Sequence, residues 1–224
     1  MVDKIIKTLK LKPPKLGDPM SQPEHPHQCH PDLQEDRLLA LAQFFASTRT
    51  SVVALHDPLS GDDSWSLGCR GFARWRNLLL QKAMSGEWEW FSVVDPGKKF
   101  IFSVGQVPIR FYRGSSKRPP TRTLANNAQE LTQLSLAFAT TGEQYRDLIW
   151  RFAIETDFLG EPSSVIFAGL SSDDGSVVYH WKLPFDTMNM EMDINDVRSD
   201  DMIELPKPSV GMPAIVKRQA SNDV

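Results

Sequence analysis

The chain has 224 residues, 41% of them hydrophobic and 24% charged, with a formal net charge of −3. This is the composition of an ordinary soluble protein long enough to bury one real core. No apolar run approaches the ~18 residues of a membrane-spanning helix, "MVDKIIKTLKLK" lacks a secretory signal's apolar stretch, and two cysteines are too few for a disulfide framework, so a cytoplasmic protein is expected.

Ten of the sixteen prolines lie before residue 32 or after residue 183. Residues 1–32 and 184–224 are therefore expected to be flexible arms around one domain at 33–183. The first arm opens with Val2, Ile5, Ile6 and Leu9 on one face of a short basic amphipathic segment, stopped by "KPPK". Its "HPHQCHP" places His25, His27, Cys29 and His30 within six residues. These are ligand types for zinc or copper, but no second cluster completes a site, so no metal or other cofactor is expected.

"DLQEDRLLALAQFFAS" has the acidic start and periodic apolar positions of an amphipathic helix. "SVVALHD" reads as a short buried strand. From "PLSGDD", Asp62, Asp63 or Ser64 caps a second helix through "RGFARWRNLLLQKAM", which stops at Gly86. Three strands follow, "EWEWFSVV", "KKFIFSV" and "VPIRFYR", the first two joined by the turn "DPGK". "TLANNAQELTQLSLAFA" and "GEQYRDLIWRFAIETDF" read as helices, and "SSVIFAGL" and "SVVYHWKL" as a hairpin around "SSDDGS". This order predicts an α+β fold, a mostly antiparallel sheet with helices packed on it. Strands and helices do not alternate and no G-x-G-x-x-G occurs, which argues against a Rossmann-type sheet.

Charge is divided along the chain. Residues 64–125 carry eleven basic and three acidic side chains, and residues 126–224 carry seven basic and sixteen acidic. Such division points to a polyanion partner or to one part of the chain docking on another; the plainer alternative is that the charges interleave on the folded surface. The densest basic stretch is "VPIRFYRGSSKRPPTR", with Arg110, Arg113, Lys117, Arg118 and Arg122 and no acid. Arginine suits phosphate because its planar fork donates two parallel hydrogen bonds and its charge does not titrate away. Arg70, Arg74 and Arg76 of the second helix would extend the patch, Arg70 and Arg74 being four apart on one face. Trp65, Trp75, Trp88, Trp90, Phe111 and Tyr112 fall in the same segment, as core or as stacking platforms for bases.

Carboxylate chemistry has weaker support. Helix, three strands, helix and strand over residues 64–170 resembles the core order of nucleases of the PD-(D/E)XK family. The resemblance implies an acid on the second strand and acid-x-lysine on the third, to hold magnesium and orient water. "FIFSVGQ" and "PIRFYRG" contain no carboxylate, leaving Asp95, Glu87 and Glu89 as substitutes. The doublets Asp62/Asp63, Glu155/Asp157 and Asp173/Asp174 read as a cap, a helix end and a hairpin turn. His56 and His180 are single histidines without a nucleophile motif.

The sequence favours a non-enzymatic binding or regulatory module. It would engage a phosphate-bearing partner, nucleic acid first, through Arg110, Arg113, Lys117, Arg118 and Arg122, with Arg70 and Arg74 in support. One alternative is a metal-dependent nuclease-like or nucleotide-acting enzyme. The other is an adaptor that meets a protein partner through residues 186–204, where seven acids accompany one arginine and Met188, Met190 and Met192 alternate with polar residues.

Overall fold

A computed structural model of the chain describes residues 23–124, 128–139, 145 and 147–186. The basic segment at residues 2–9 and the methionine-rich acidic stretch after Asp186 lie outside the described residues.

Two long helices come first, α1 (Glu35–Val53) and α2 (Ser64–Ser85). Asp63 caps α2 by accepting from the Ser66 N–H, and Gly86 ends it in the left-handed region at φ 68°. The six strands β1 (Phe91–Asp95), β2 (Ile101–Val104), β3 (Val107–Arg113), β4 (Leu148–Thr156), β5 (Pro162–Ser171) and β6 (Val177–Leu183) stand side by side in chain order. Neighbours are antiparallel except β3 and β4, which run parallel. The connection between those two carries α3 (Thr121–Leu124) and α4 (Ala128–Ala137), as a parallel step requires a crossover. The architecture is α+β on a mostly antiparallel sheet. No helix among the described residues is long and apolar enough to cross a membrane.

Register explains the two faces. Phe111, Phe152, Phe167 and Trp181 lie opposite one another across β3 to β6. Phe45 of α1 packs on this row, its ring 5.1 Å from Phe111 and 5.3 Å from Phe152. Trp75 of α2 closes over it and donates its indole N–H to the Phe45 carbonyl at 3.1 Å. One residue along, Arg110 and Arg151 pair across β3 and β4 and point to the other face.

Two expected elements differ. "SVVALHD" is not a strand; α1 continues through Val53, with Val52 fully buried, because its apolar stripe carries on into the same packed interface. The segment at 148–156, expected as helix, is the central strand β4. A strand covered on both faces has no polar alternation, and its mostly apolar run, broken by Arg151, imitates a buried helix. Trp88 and Trp90 precede β1 rather than belonging to it, and their rings stack at 5.0 Å.

Residues 23–32, expected within an arm, pack on the sheet. Cys29 and His30 are buried, and Trp181 donates to the Pro23 carbonyl at 3.1 Å. The Asp32 N–H donates to His30 Nδ1 at 3.1 Å, which leaves Nε2 to donate to the Ala137 carbonyl at 3.0 Å. The Asp32 carboxylate accepts from the Gln106 N–H at 2.9 Å. Proline and histidine content reads as a linker, whereas the His30 ring and the Asp32 carboxylate find backbone partners far away in the chain. Burial pushes the Cys29 thiol up to about 12, far from a ready thiolate ligand. Among the described residues no three His, Cys, Asp or Glu side chains gather around one metal position.

Candidate functional site

A cleft of about 510 Å³ opens between the first half of α2, the β1–β2 turn, the end of β3 and α3. Five cations line it: Lys98 and Lys99 from the turn, Arg110 and Arg113 from β3, and Arg122 from α3. Trp65 and Phe72 of α2 contribute aromatic surface, and among the described residues that line it none is Asp or Glu.

Local structure places each group. The Asp95 carboxylate accepts from the Gly97 N–H at 2.7 Å and shapes the turn, while Arg76 of α2 donates to the Pro96 carbonyl at 2.8 Å and ties it to the helix. Lys98 and Lys99 are thereby held over α2. On the opposite side the Thr123 N–H and hydroxyl both donate to the Pro120 carbonyl, at 2.8 and 2.7 Å, closing the short turn of α3.

Arg110 joins these two walls. It is buried, and its guanidinium donates to the Lys99 carbonyl at 3.3 Å and the Arg122 carbonyl at 3.4 Å. Glu130 of α4 lies 3.7 Å from Arg110 and forms an ion pair with the fully buried Arg151. Arg151 in turn donates to the Thr123 carbonyl at 2.9 Å. Burial lowers the pKa of Arg110, against the opposing charge of Glu130, and brings Arg151 down to about 10. Both remain cations at neutral pH, so Glu130 is the compensating charge for two guanidiniums in the interior.

Arg113 is exposed, and its guanidinium lies along α2 where a Cβ on Gly68 would be 3.4 Å away. Behind it, buried Arg49 reaches to within 3.1 Å of the same position on Gly71. Gly68 and Gly71 share a helix face; a Cβ at Gly68 would sit in ordinary contact with Arg113, whereas one at Gly71 would crowd Arg49. Arg49 donates to the Gly160 carbonyl at 2.7 Å and the Leu67 carbonyl at 3.2 Å. Burial, then the charge of Arg113, lowers its pKa. The wall is electropositive in depth as well as at its surface.

Of the residues singled out from sequence, Arg110, Arg113 and Arg122 come together in the cleft. Lys117 and Arg118 are exposed in the loop beyond and do not line it. Arg70 grips both oxygens of Asp62, at 2.9 and 3.0 Å, and donates to the Leu55 carbonyl at 2.9 Å, so it is committed elsewhere. Arg74 is half-buried and outside the lining. Lys98 and Lys99 were absent from the sequence-derived set because "DPGKK" reads as turn chemistry, and only the fold carries that turn to the end of β3. The substitute carboxylates do not converge either: Glu87 pairs with Lys82 at 2.7 Å, and Asp95 caps its own turn.

Glu155, expected at a helix end, instead anchors the basic loop from β4. It accepts from the Ser116 N–H and hydroxyl at 2.7 and 2.8 Å, and from the Ser164 hydroxyl at 2.7 Å. Burial raises its pKa, but these hydrogen bonds and the charge of Lys117 outweigh that and hold it below the ordinary 4.5. Its contribution to stability is therefore full above the unfolded-state value and is lost as pH falls through the lower folded-state value. The stability gap between wild type and Glu155→Gln should shrink as unfolding is followed from pH 6 down to pH 3. A gap constant over that window would exclude the coupling.

The chain matches no protein-family model, no curated protein and no solved structure.

Proposed function

We propose that the protein is a binding module for a phosphate-bearing partner, nucleic acid being the class the site suits best, with the cation-lined cleft as its point of contact. The observation that supports this is the lining itself: among the described residues it holds five cations and neither Asp nor Glu, and Lys98, Arg113 and Arg122 are exposed there. Like charges gathered on one surface, as Lys98, Arg113 and Arg122 are, repel one another, and a bound polyanion relieves that repulsion. The arrangement is also built rather than incidental, since Arg110 binds both cation-bearing walls through their carbonyls. Phosphate contacts of this kind give affinity and salt dependence without sequence information.

Anisotropy of a labelled oligonucleotide across a series of salt concentrations tests the reading. Affinity should fall steeply with salt, and Arg113→Ala and Arg122→Ala should each flatten the log–log slope by about one. Slopes unchanged in both variants would remove the cleft as the contact.

A further inference from the structure

Trp65 stands 74% exposed in the first turn of α2, at the rim of the cleft. A tryptophan carries a large apolar face that folding ordinarily removes from water, and here nothing among the described residues covers it. The rest of the cleft is not uniform around it. Asp62 and Asp63 lie three and two residues before Trp65 in the chain, and Asp63 caps the helix whose first turn holds Trp65. Lys98, Arg113 and Arg122 come from the β1–β2 turn, the end of β3 and α3. Asp62 is already paired with Arg70, which leaves Asp63 as the negative charge nearest Trp65 in the chain. A phosphate is attracted among the cations, and an uncharged aromatic ring suits the Trp65 rim, where the indole offers it a face.

Resting on the phosphate-binding reading, we propose that the cleft takes an unpaired nucleic-acid strand, with a base stacked on Trp65 and its phosphates among Lys98, Arg113 and Arg122. The volume of about 510 Å³ is that of a small-molecule site, suited to nucleotide units rather than to a whole duplex. A duplex keeps its base faces within its own stack, where Trp65 cannot reach them, whereas a single strand offers both base faces and backbone. Every base has a π-face, so recognition of this kind is tolerant of sequence.

The experiment compares a labelled 20-nucleotide single strand with its duplex, using wild type, Trp65→Ala and Trp65→Phe at fixed salt. Trp65 is exposed, so the variants should keep the wild-type Tm, and that is checked first. The single strand should bind more tightly than the duplex and quench tryptophan emission. Trp65→Ala should weaken single-strand binding by about 5- to 100-fold without changing its salt slope, and Trp65→Phe should recover part of the loss. Cys69 supplies a second readout: it is exposed and lines the cleft, whereas Cys29 is buried. Bound single strand should slow alkylation of Cys69 by iodoacetamide. Equal or tighter binding of duplex, unaltered affinity in Trp65→Ala, or unprotected Cys69 would overturn the stacking proposal while leaving salt-dependent phosphate binding intact. Failure of both nucleic acids to bind at low salt would overturn the phosphate reading as well.

Discussion

Glu130→Ala should lose about 3–5 kcal/mol in urea denaturation, a large part of a domain's stability. Glu130 is 1% exposed and is the carboxylate shared by Arg151 and Arg110. Its removal leaves two guanidiniums in the interior without their counter-charge, and both are too basic to escape by deprotonation near neutral pH. The damage should also reach the cleft, because Arg110 and Arg151 hold the carbonyls of Lys99, Arg122 and Thr123. A companion variant separates charge from shape. Replacing Glu130, Arg110 and Arg151 together with Leu, Met and Met should return most of the stability, since an apolar set of similar volume needs no counter-charge. Polyanion binding should not return with it, because the tie between the two basic walls is gone. A Glu130→Ala chain within 1 kcal/mol of wild type would show that the network is not what secures this face.

Saturating oligonucleotide should raise the Tm of the wild type by about 5–10 °C. At a hundred times its Kd, a ligand bound only by the folded state stabilises by about 2.7 kcal/mol, and a chain of this size gains roughly 2–4 °C per kcal/mol. Combining Lys98→Gln, Arg113→Gln and Arg122→Gln should abolish that shift. These three side chains are exposed, and none forms an ion pair among the described residues, so the variant should unfold no earlier than wild type in the absence of ligand. Relief of mutual repulsion can make it slightly more stable. The paired outcome, ligand response lost while stability is kept, distinguishes a binding surface from a structural one. A full shift in the triple variant would place the contact elsewhere.

What could be read from the sequence follows a physical division. α1 announces itself through an apolar stripe with an acidic first turn, and α2 through an acidic cap and a glycine stop, all of which are local. The β1–β3 meander and the β5–β6 hairpin are legible for the same reason, since their turns lie within a few residues of the strands. β4 was not legible: with Trp150 and Phe152 on one face and Arg151 and Ala153 on the other, all buried, its period-2 pattern is erased. The cleft was half legible. Arg110, Arg113 and Arg122 stand close in the chain, but their division into one internal tie and two outward contacts depends on Glu130, which α4 delivers from outside the basic segment. Arg70 was misplaced for the converse reason: the acid that occupies it, Asp62, is two turns of helix away and reads as a cap. Trp65 looked like core because most tryptophans are.

The parallel pairing of β3 with β4 has a consequence for how the molecule assembles. On either side of that seam the sheet is a meander, β1–β2–β3 and β4–β5–β6, in which each strand pairs with its immediate successor. Each half can zip up from its own turns at small cost in chain entropy. The seam alone demands closure of the long excursion through α3 and α4, so it is the slow, non-local step. Arg110 and Arg151 belong to opposite halves, and Glu130 belongs to the excursion between them. The buried charges therefore meet only when the halves dock in register, and a docking slipped by one residue would put the two guanidiniums on opposite faces of the sheet, one of them against the aromatic rings. Their desolvation makes the wrong alignment costly, which turns an ion network into a proofreading step for the last event in folding.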